Sequence, residues 1–329
     1  MLYGDISAED IRQAGERLAG KVVQTPIRTS SWLSSATGAD IFLKLENLQI
    51  TGSFKYRGAL NCLSVLWAQE QQKVVTASAG NHALGIAEAA RSTDMQATIC
   101  VPRTIAGSKL EKLQRYGCTV IQEGDDSLAP ELYARGLAAA HKDLRYVSPY
   151  NDPLVIAGQG TVALEILRAV PEVKTIVVAV GGGGLVSGVA LAARNHNPNI
   201  RIVGVVAENS PVMKTCVEAG AIIEVGETPT IADTIAGNIE KDSITFPVAR
   251  DLVDEWVAVP EHLIRQAMFE FLTHEHMLIE GSAAAAIACV SGKMVAFQPS
   301  EKVAVIVCGG NVATEIWHDV CREYLPHSR

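Results

Sequence analysis

Short β-branched runs, each followed by a glycine-rich turn and then an amphipathic stretch, recur along this chain and leave few folds open to it. KVVTAS precedes HALGIAEAAR, ATICVP precedes SKLEKLQRYG, and CTVIQEG precedes PELYARGLAAAHK. The second half repeats the alternation with TIVVAV, RIVGVVAE and KVAVIV, each leading into a helical pattern. Nearly all-apolar strands alternating with helices require parallel sheets covered on both faces, so the spacing predicts an α/β fold. The 329 residues are about two domains' worth. With 48% hydrophobic against 19% charged residues, the composition argues for a large buried core and against disorder.

Charge and cysteine usage exclude other classes. Twenty-eight Lys and Arg against 36 Asp and Glu leave a net charge of −8, which repels polyanions and makes nucleic acid an unexpected partner. Seven cysteines, scattered through apolar segments with no CxxC pair, read as reduced core residues of a cytoplasmic protein. The N-terminal MLYGDISAEDIRQAGERL lacks the basic-then-apolar pattern of a secretory signal. Thr175 to Ala193 carries no charge and holds Gly184 and Gly188 at the spacing of a transmembrane dimer motif. Four consecutive glycines in that stretch argue against one continuous helix, so no membrane span is expected.

No low-complexity linker or internal repeat divides the chain. The turn-rich stretches LENLQITGS near residue 50 and VSPYNDP near residue 150 are the expected boundaries. A site in such a protein belongs where strand ends meet helix starts, at a topological switch point or between domains.

Three strand-to-helix loops carry chemistry. In TGSFKYRGAL, Ser53 is the expected N-cap, which puts Phe54 and Lys55 in a helix's first turn, where the positive dipole end disfavours a cation. A lysine there either reaches out to solvent or is a neutral amine able to form a Schiff base or take a proton. In TASAGNHALG, the run Ser78, Ala79, Gly80, Asn81 enters a helix and offers backbone N–H groups to a carboxylate, or is an ordinary capped turn; His82 is an orienting group or a capping histidine. In TIVVAVGGGGLVSGVALAARN, Gly181, Gly182, Gly183 and Gly184 follow a buried strand and open a helix, as a phosphate-wrapping loop does. A dinucleotide site fails there because GxGxxG ends on Val186 or Ser187, although Glu208 stands where a ribose-binding acid would. The loop suits a single phosphate better.

Weaker candidates were weighed beside these. His274 and His276 do not share a helical face, so metal is not expected, and Asp125 with Asp126 reads as a solvated turn.

A first-turn lysine, a carboxylate loop and a monophosphate loop together ask for a cofactor with an aldehyde and one phosphate. Through KLENLQITGSFKYRGA (44–59), SAGNHALG (78–85), IAGQGTVALEI (156–166), GGGGL (181–185) and CGGN (308–311), the sequence resembles the fold-type II pyridoxal-phosphate enzymes, specifically the threonine/serine dehydratase and serine racemase family. The resemblance implies pyridoxal 5'-phosphate as cofactor and a tryptophan synthase β-like fold of two parallel-sheet domains. The smaller, residues 52–148, would be inserted in a larger one of residues 1–51 and 149–329. It also implies Lys55 as the Schiff-base lysine, Phe54 as a ring neighbour, Asn81 on the cofactor's 3-hydroxyl, Gly181 to Gly184 with Leu185 on the phosphate, and Cys308 facing the pyridine nitrogen. Ser78, Ala79, Gly80 and His82 would border the substrate carboxylate. A neutral thiol at Cys308 cannot hold the ring nitrogen protonated, which weakens the electron sink and suits β-elimination.

The implied activity is therefore ammonia release from a β-hydroxy amino acid such as L-threonine, L-serine or 3-hydroxyaspartate. The alternatives are a racemase, a β-replacement synthase, or a non-catalytic ligand-binding paralogue. Racemases of the family place a serine where this chain has Ala79, so elimination is favoured. They also hold a divalent cation with a Glu and an Asp; Glu208 is matched but Lys214 replaces the Asp, and its ammonium is expected to stand in for the cation. The family's ADG reads Ala232, Asp233, Thr234 here, a change expected to narrow the pocket. A homodimer or homotetramer is expected, with a small amino acid as substrate. NVATEIWHDVCREYLPHSR reads as one last helix, and feedback inhibition through a C-terminal regulatory domain is not expected.

Overall fold

A computed structural model describes residues 2–3, 6–126 and 128–325 of the chain. Among them, two sheets carry the alternation expected from sequence. The larger has six strands in the order Glu255–Val259, Arg201–Ala207, Thr175–Ala179, Lys302–Val307, Asp40–Leu45, Ile27–Thr29. All neighbours are parallel except the edge strand Ile27–Thr29, which runs antiparallel to Asp40–Leu45. The smaller has four parallel strands in the order Thr119–Gln122, Gln96–Val101, Lys73–Ala77, Leu144–Tyr146. Every residue of Thr175–Ala179 is buried, so side chains on both faces of that strand meet protein. That double covering is what the uninterrupted apolar run called for.

The uncharged stretch divides as the glycines demand: a strand, a loop, and the helix Gly184–His196. Gly188 serves a helix contact, though within a folded core. A Cβ there would lie 2.5 Å from the Gly160 backbone nitrogen and 2.6 Å from the Ile156 carbonyl of helix Pro153–Ala169. Only glycine lets these two backbones approach so closely. No helix among the described residues is long and apolar enough to cross a membrane, and all seven cysteines are free thiols.

The strand orders explain where the chain leaves a crevice. In the larger sheet, Lys302–Val307 lies between Thr175–Ala179 and Asp40–Leu45, so the loops leaving these three strands diverge at their C-terminal ends. In the smaller sheet, Lys73–Ala77 has Gln96–Val101 on one side and Leu144–Tyr146 on the other, which splits the loops at residues 78–80 and 147–152 in the same way. Such switch points leave the crevices in which α/β proteins bind ligands. The last helix is shorter than the sequence reading, Thr314–Tyr324, with residues 311–313 outside it and 326–329 outside the described residues.

Candidate active site

Lys55 is the first residue of helix Lys55–Ala68, and the local reading of its cap needs correction. The N-cap is Phe54, without a side-chain cap bond, not Ser53. Ser53 instead pairs as an isolated antiparallel bridge with Gly309, and the Phe54 N–H donates to the Cys308 carbonyl at 3.0 Å. A tether to the loop after Lys302–Val307 thus overrides the capping preference and leaves the buried Ser53 Oγ without a partner. The Lys55 Nζ donates to the Pro149 carbonyl at 2.7 Å and lies 5.3 Å from the Phe54 ring centroid. No carboxylate pairs with it among the described residues, and burial lowers its pKa to about 8 against the weaker upward pull of Cys308 and Glu280. Of the two readings of this lysine, the structure gives the buried amine.

The glycine run forms a cradle whose walls leave no room for side chains. A Cβ on Gly181 would lie 2.8 Å from Ile235 Cα, one on Gly182 would enter the Tyr150 ring, and one on Gly183 would lie 2.9 Å from Thr245 Oγ1. Gly183 is also the helix N-cap at φ +85°, a left-handed conformation that favours glycine. Thr245 Oγ1 donates to the Gly182 carbonyl at 2.7 Å, fixing the loop from below. The first N–H groups of helix Gly184–His196, Leu185 among them, have no intrahelical acceptor, and the nearby Ser187 Oγ is buried without a partner. This is a built site for a small dianion at a positive helix end.

Near the amine lies a polar network that sequence reasoning missed in its main member, Glu280. Asn81, first residue of helix Asn81–Thr93, donates through Nδ2 to both Glu280 carboxylate oxygens at 2.9 Å, and its Oδ1 accepts from Asn311 Nδ2 at 2.8 Å. Thr234 Oγ1 reaches Glu280 Oε1 at 3.0 Å and Ser282 Oγ at 2.5 Å. Burial raises the Glu280 pKa to about 7, although Asn81 and Thr234 oppose the shift. A lone acid heading the apolar run GSAAAAIACV is the signal that could have found it. Cys308 is buried, and burial holds its thiol far above the ordinary range, hence neutral.

Ser78, Ala79 and Gly80 form the loop before Asn81, with the Gly80 N–H directed to Ser78 Oγ at 3.2 Å. Gly80 has open space where a Cβ would point. His82 is buried with Nε2 3.4 Å from the Val147 carbonyl and Nδ1 unpartnered. Burial, with Lys55 nearby, lowers its pKa to about 3, so it offers a carboxylate no positive charge.

Other sequence candidates lie elsewhere. Lys214 pairs with Glu218 at 2.5 Å while Glu208 is exposed, so the expectation that its ammonium stands in for a cation at Glu208 loses its basis. His274 stacks on Trp32, His276 is a helix C-cap, and Asp126 Oδ1 accepts from the Leu128 and Ala129 N–H groups that head helix Leu128–Ala140. Asp125 is exposed, as the turn reading expects.

A two-sheet α/β protein whose crevice joins a buried, unpaired amine to a glycine-walled anion cradle is a scaffold for a phosphorylated carbonyl cofactor. The chain belongs to the pyridoxal-phosphate dependent enzyme family, whose pattern it matches over residues 18–309. It is 43% identical over 309 residues to the L-threonine ammonia-lyase of Thermotoga maritima, covering 93% of this chain and 76% of that protein. It is 36% identical over 310 residues to the catabolic L-threonine dehydratase TdcB of Escherichia coli, covering 93% of both. Among solved structures, maize serine racemase superposes with a TM-score of 0.89 at 34% identity, covering 97% of this chain and 98% of that one. The resemblance drawn from the motifs, and the α/β fold-type II architecture with it, is thereby borne out.

Proposed function

We propose that this protein is a pyridoxal-phosphate dependent ammonia-lyase that converts a β-hydroxy amino acid of the threonine or serine kind to a 2-oxo acid and ammonia. The observation that carries the reading is the buried Lys55 amine, with no carboxylate partner among the described residues and a lowered pKa. The residues present fit the cofactor: the cradle of Gly181 to Gly184 with Leu185 would take the phosphate, Lys55 the aldehyde, Asn81 the 3-hydroxyl, Cys308 the ring nitrogen and Phe54 a place beside the ring. When bound, the cofactor would supply an electron-withdrawing ring that acidifies the substrate's Cα–H.

The chain's own groups do the rest. Ser78 Oγ, the Gly80 N–H and the loop through Ala79 to His82 hold the substrate carboxylate at the start of helix Asn81–Thr93. Lys55 Nζ, as a free amine, accepts the Cα proton. The Cα–H electron pair becomes the Cα–Cβ double bond as the β-hydroxyl departs with the Cβ–O pair and takes the proton held on Lys55 Nζ, leaving as water. Hydrolysis of the released enamine, through its imine tautomer, consumes one water and yields the 2-oxo acid and ammonia. Cys308, neutral, leaves the ring a weak sink and favours elimination over long-lived carbanions. Ala79 offers no proton donor on the opposite face, which favours elimination over racemisation.

We take residues 52–148 as a small domain inserted between 1–51 and 149–329, because strands from Lys73 to Tyr146 form a sheet of their own. The same reading takes the enzyme as cytoplasmic, which its free thiols support, and as a homodimer or homotetramer. A coupled assay for 2-oxo acid and ammonia on L-threonine, L-serine and 3-hydroxyaspartate tests the activity. Turnover of at least one supports it; D-amino acid formation at a comparable rate, or no turnover by protein loaded with cofactor, overturns it.

A further inference from the structure

We propose that Lys112 selects substrates whose side chain ends in a carboxylate, by placing an unneutralised ammonium in the cavity that opens from the Ser78–Asn81 loop. The inference rests on the ammonia-lyase reading and names its substrate class: β-hydroxy amino acids with a second acidic group, of which 3-hydroxyaspartate is the shortest.

Gly80 and Asn81 open onto a cavity of about 260 Å³, lined also by Lys109, Lys112, Thr234 and Asn311. That volume lies below the range of drug-sized ligand pockets and is of the size of a small amino acid rather than a nucleotide. Two ammonium groups line it, and they differ. Lys109 Nζ is 3.7 Å from Asp233 Oδ2, so its charge is answered. Lys112 Nζ donates to the neutral Asn311 Oδ1 at 3.0 Å, and no carboxylate pairs with it among the described residues. Glu315 lines the same cavity and makes no ion pair with Lys112. Lys112 is exposed, and partial desolvation at the cavity still lowers its pKa, so a ligand carboxylate would meet an ammonium that has no counter-charge but keeps contact with solvent.

The position couples to the reaction centre. Asn311, which Lys112 holds, donates to the Thr51 carbonyl at 2.7 Å and to Asn81 Oδ1 at 2.8 Å. A carboxylate arriving at Lys112 is therefore one amide side chain away from the asparagine that faces the cofactor site. Thr234 also lines the cavity, but its hydroxyl is engaged by Glu280 and Ser282 and so is already satisfied. A methyl-ended side chain such as that of threonine gains nothing from the ammonium.

The test compares kcat/KM of the holoenzyme for L-threo-3-hydroxyaspartate and L-threonine in wild type, Lys112→Met and Lys112→Arg. The ratio of the two is expected to fall at least about tenfold in K112M, the worth of one charge-assisted hydrogen bond, and to stay within about threefold of wild type in K112R. Equal losses on both substrates, or an unchanged ratio, would overturn the inference, since Lys112 would then act only by bracing Asn311. Calorimetry of succinate against butyrate binding to the holoenzyme gives a reading independent of turnover: succinate should bind tighter in wild type and lose that advantage in K112M. Equal binding of the two in wild type overturns the inference. Activity on threonine with none on 3-hydroxyaspartate also sinks the selectivity while leaving the ammonia-lyase reading intact. Activity on neither, with succinate still preferred, sinks the ammonia-lyase reading alone.

Discussion

Two buried charge clusters grow from the single segment KLENLQITGSFKYR, and they are built on opposite terms. In the first, Arg57 lies 2.8 Å from Glu46 and 2.7 Å from Glu165, and Lys44 pairs with Glu165 and lies 3.6 Å from Glu46. The Thr25 carbonyl and hydroxyl fill remaining positions on Lys44 and Glu46. Burial pushes the Glu46 carboxyl upward, but Arg57 and Lys44 prevail and hold it below its usual range, so it stays charged. In the second, Lys55 is held by a carbonyl and Glu280 by amide and hydroxyl groups, without an ionic partner for either among the described residues. Desolvation, only partly offset, shifts both toward neutrality. The contrast teaches what separates a scaffold charge from a reactive one: both are buried, and a close counter-charge keeps Glu46 and Arg57 ionised, although burial lowers the Lys44 pKa even between its two carboxylates.

Three measurements can break or sharpen that contrast. Lys55→Ala should lower turnover by more than about a thousandfold and abolish the visible absorbance of cofactor-loaded protein, since no other amine is placed to move the Cα proton. Its melting temperature without cofactor should hold or rise, because an uncompensated buried amine is removed; a large drop would erase the distinction between the clusters. Arg57→Met should do the reverse, costing about 3–5 kcal/mol in denaturant unfolding by stranding Glu46 and Glu165. A loss below 1 kcal/mol would show that the paired cluster is not the brace described.

The smallest effect concerns pH. Glu280 has its folded pKa raised from 4.5 to about 7, so its contribution to stability is complete below pH 4.5 and is lost as pH rises through 7. Wild-type protein without cofactor should therefore lose up to about 3 kcal/mol relative to Glu280→Gln between pH 4.5 and 7. Parallel stability curves for the two proteins would mean that Glu280 is ionised across that range.

Much of this was legible beforehand, and the failures share a cause. The tetraglycine loop could be placed because its function is local: backbone must come close, and only residues without a Cβ permit it. Lys55 was placed at a helix start for a similar reason, while the assignment of Ser53 as its cap failed because Gly309, far along the chain, claims the Ser53 backbone first. Glu280 went unseen because its partner Asn81 is 199 residues away; the apolar run it heads marks the acid as unusual but not the contact it makes.

By itself the sequence determined the alternation of apolar strands and amphipathic helices, and so the parallel sheets apart from the antiparallel edge strand Ile27–Thr29, because periodicity acts through neighbouring residues. It also determined the anion cradle, because four glycines in a row have no cheaper use. Which of the charged residues between Lys44 and Arg57 became structural and which became reactive was decided by the tertiary structure alone. Pairing and desolvation depend on distances between side chains that the chain brings together only when folded, and a change of a few ångströms in those distances moves a pKa by units.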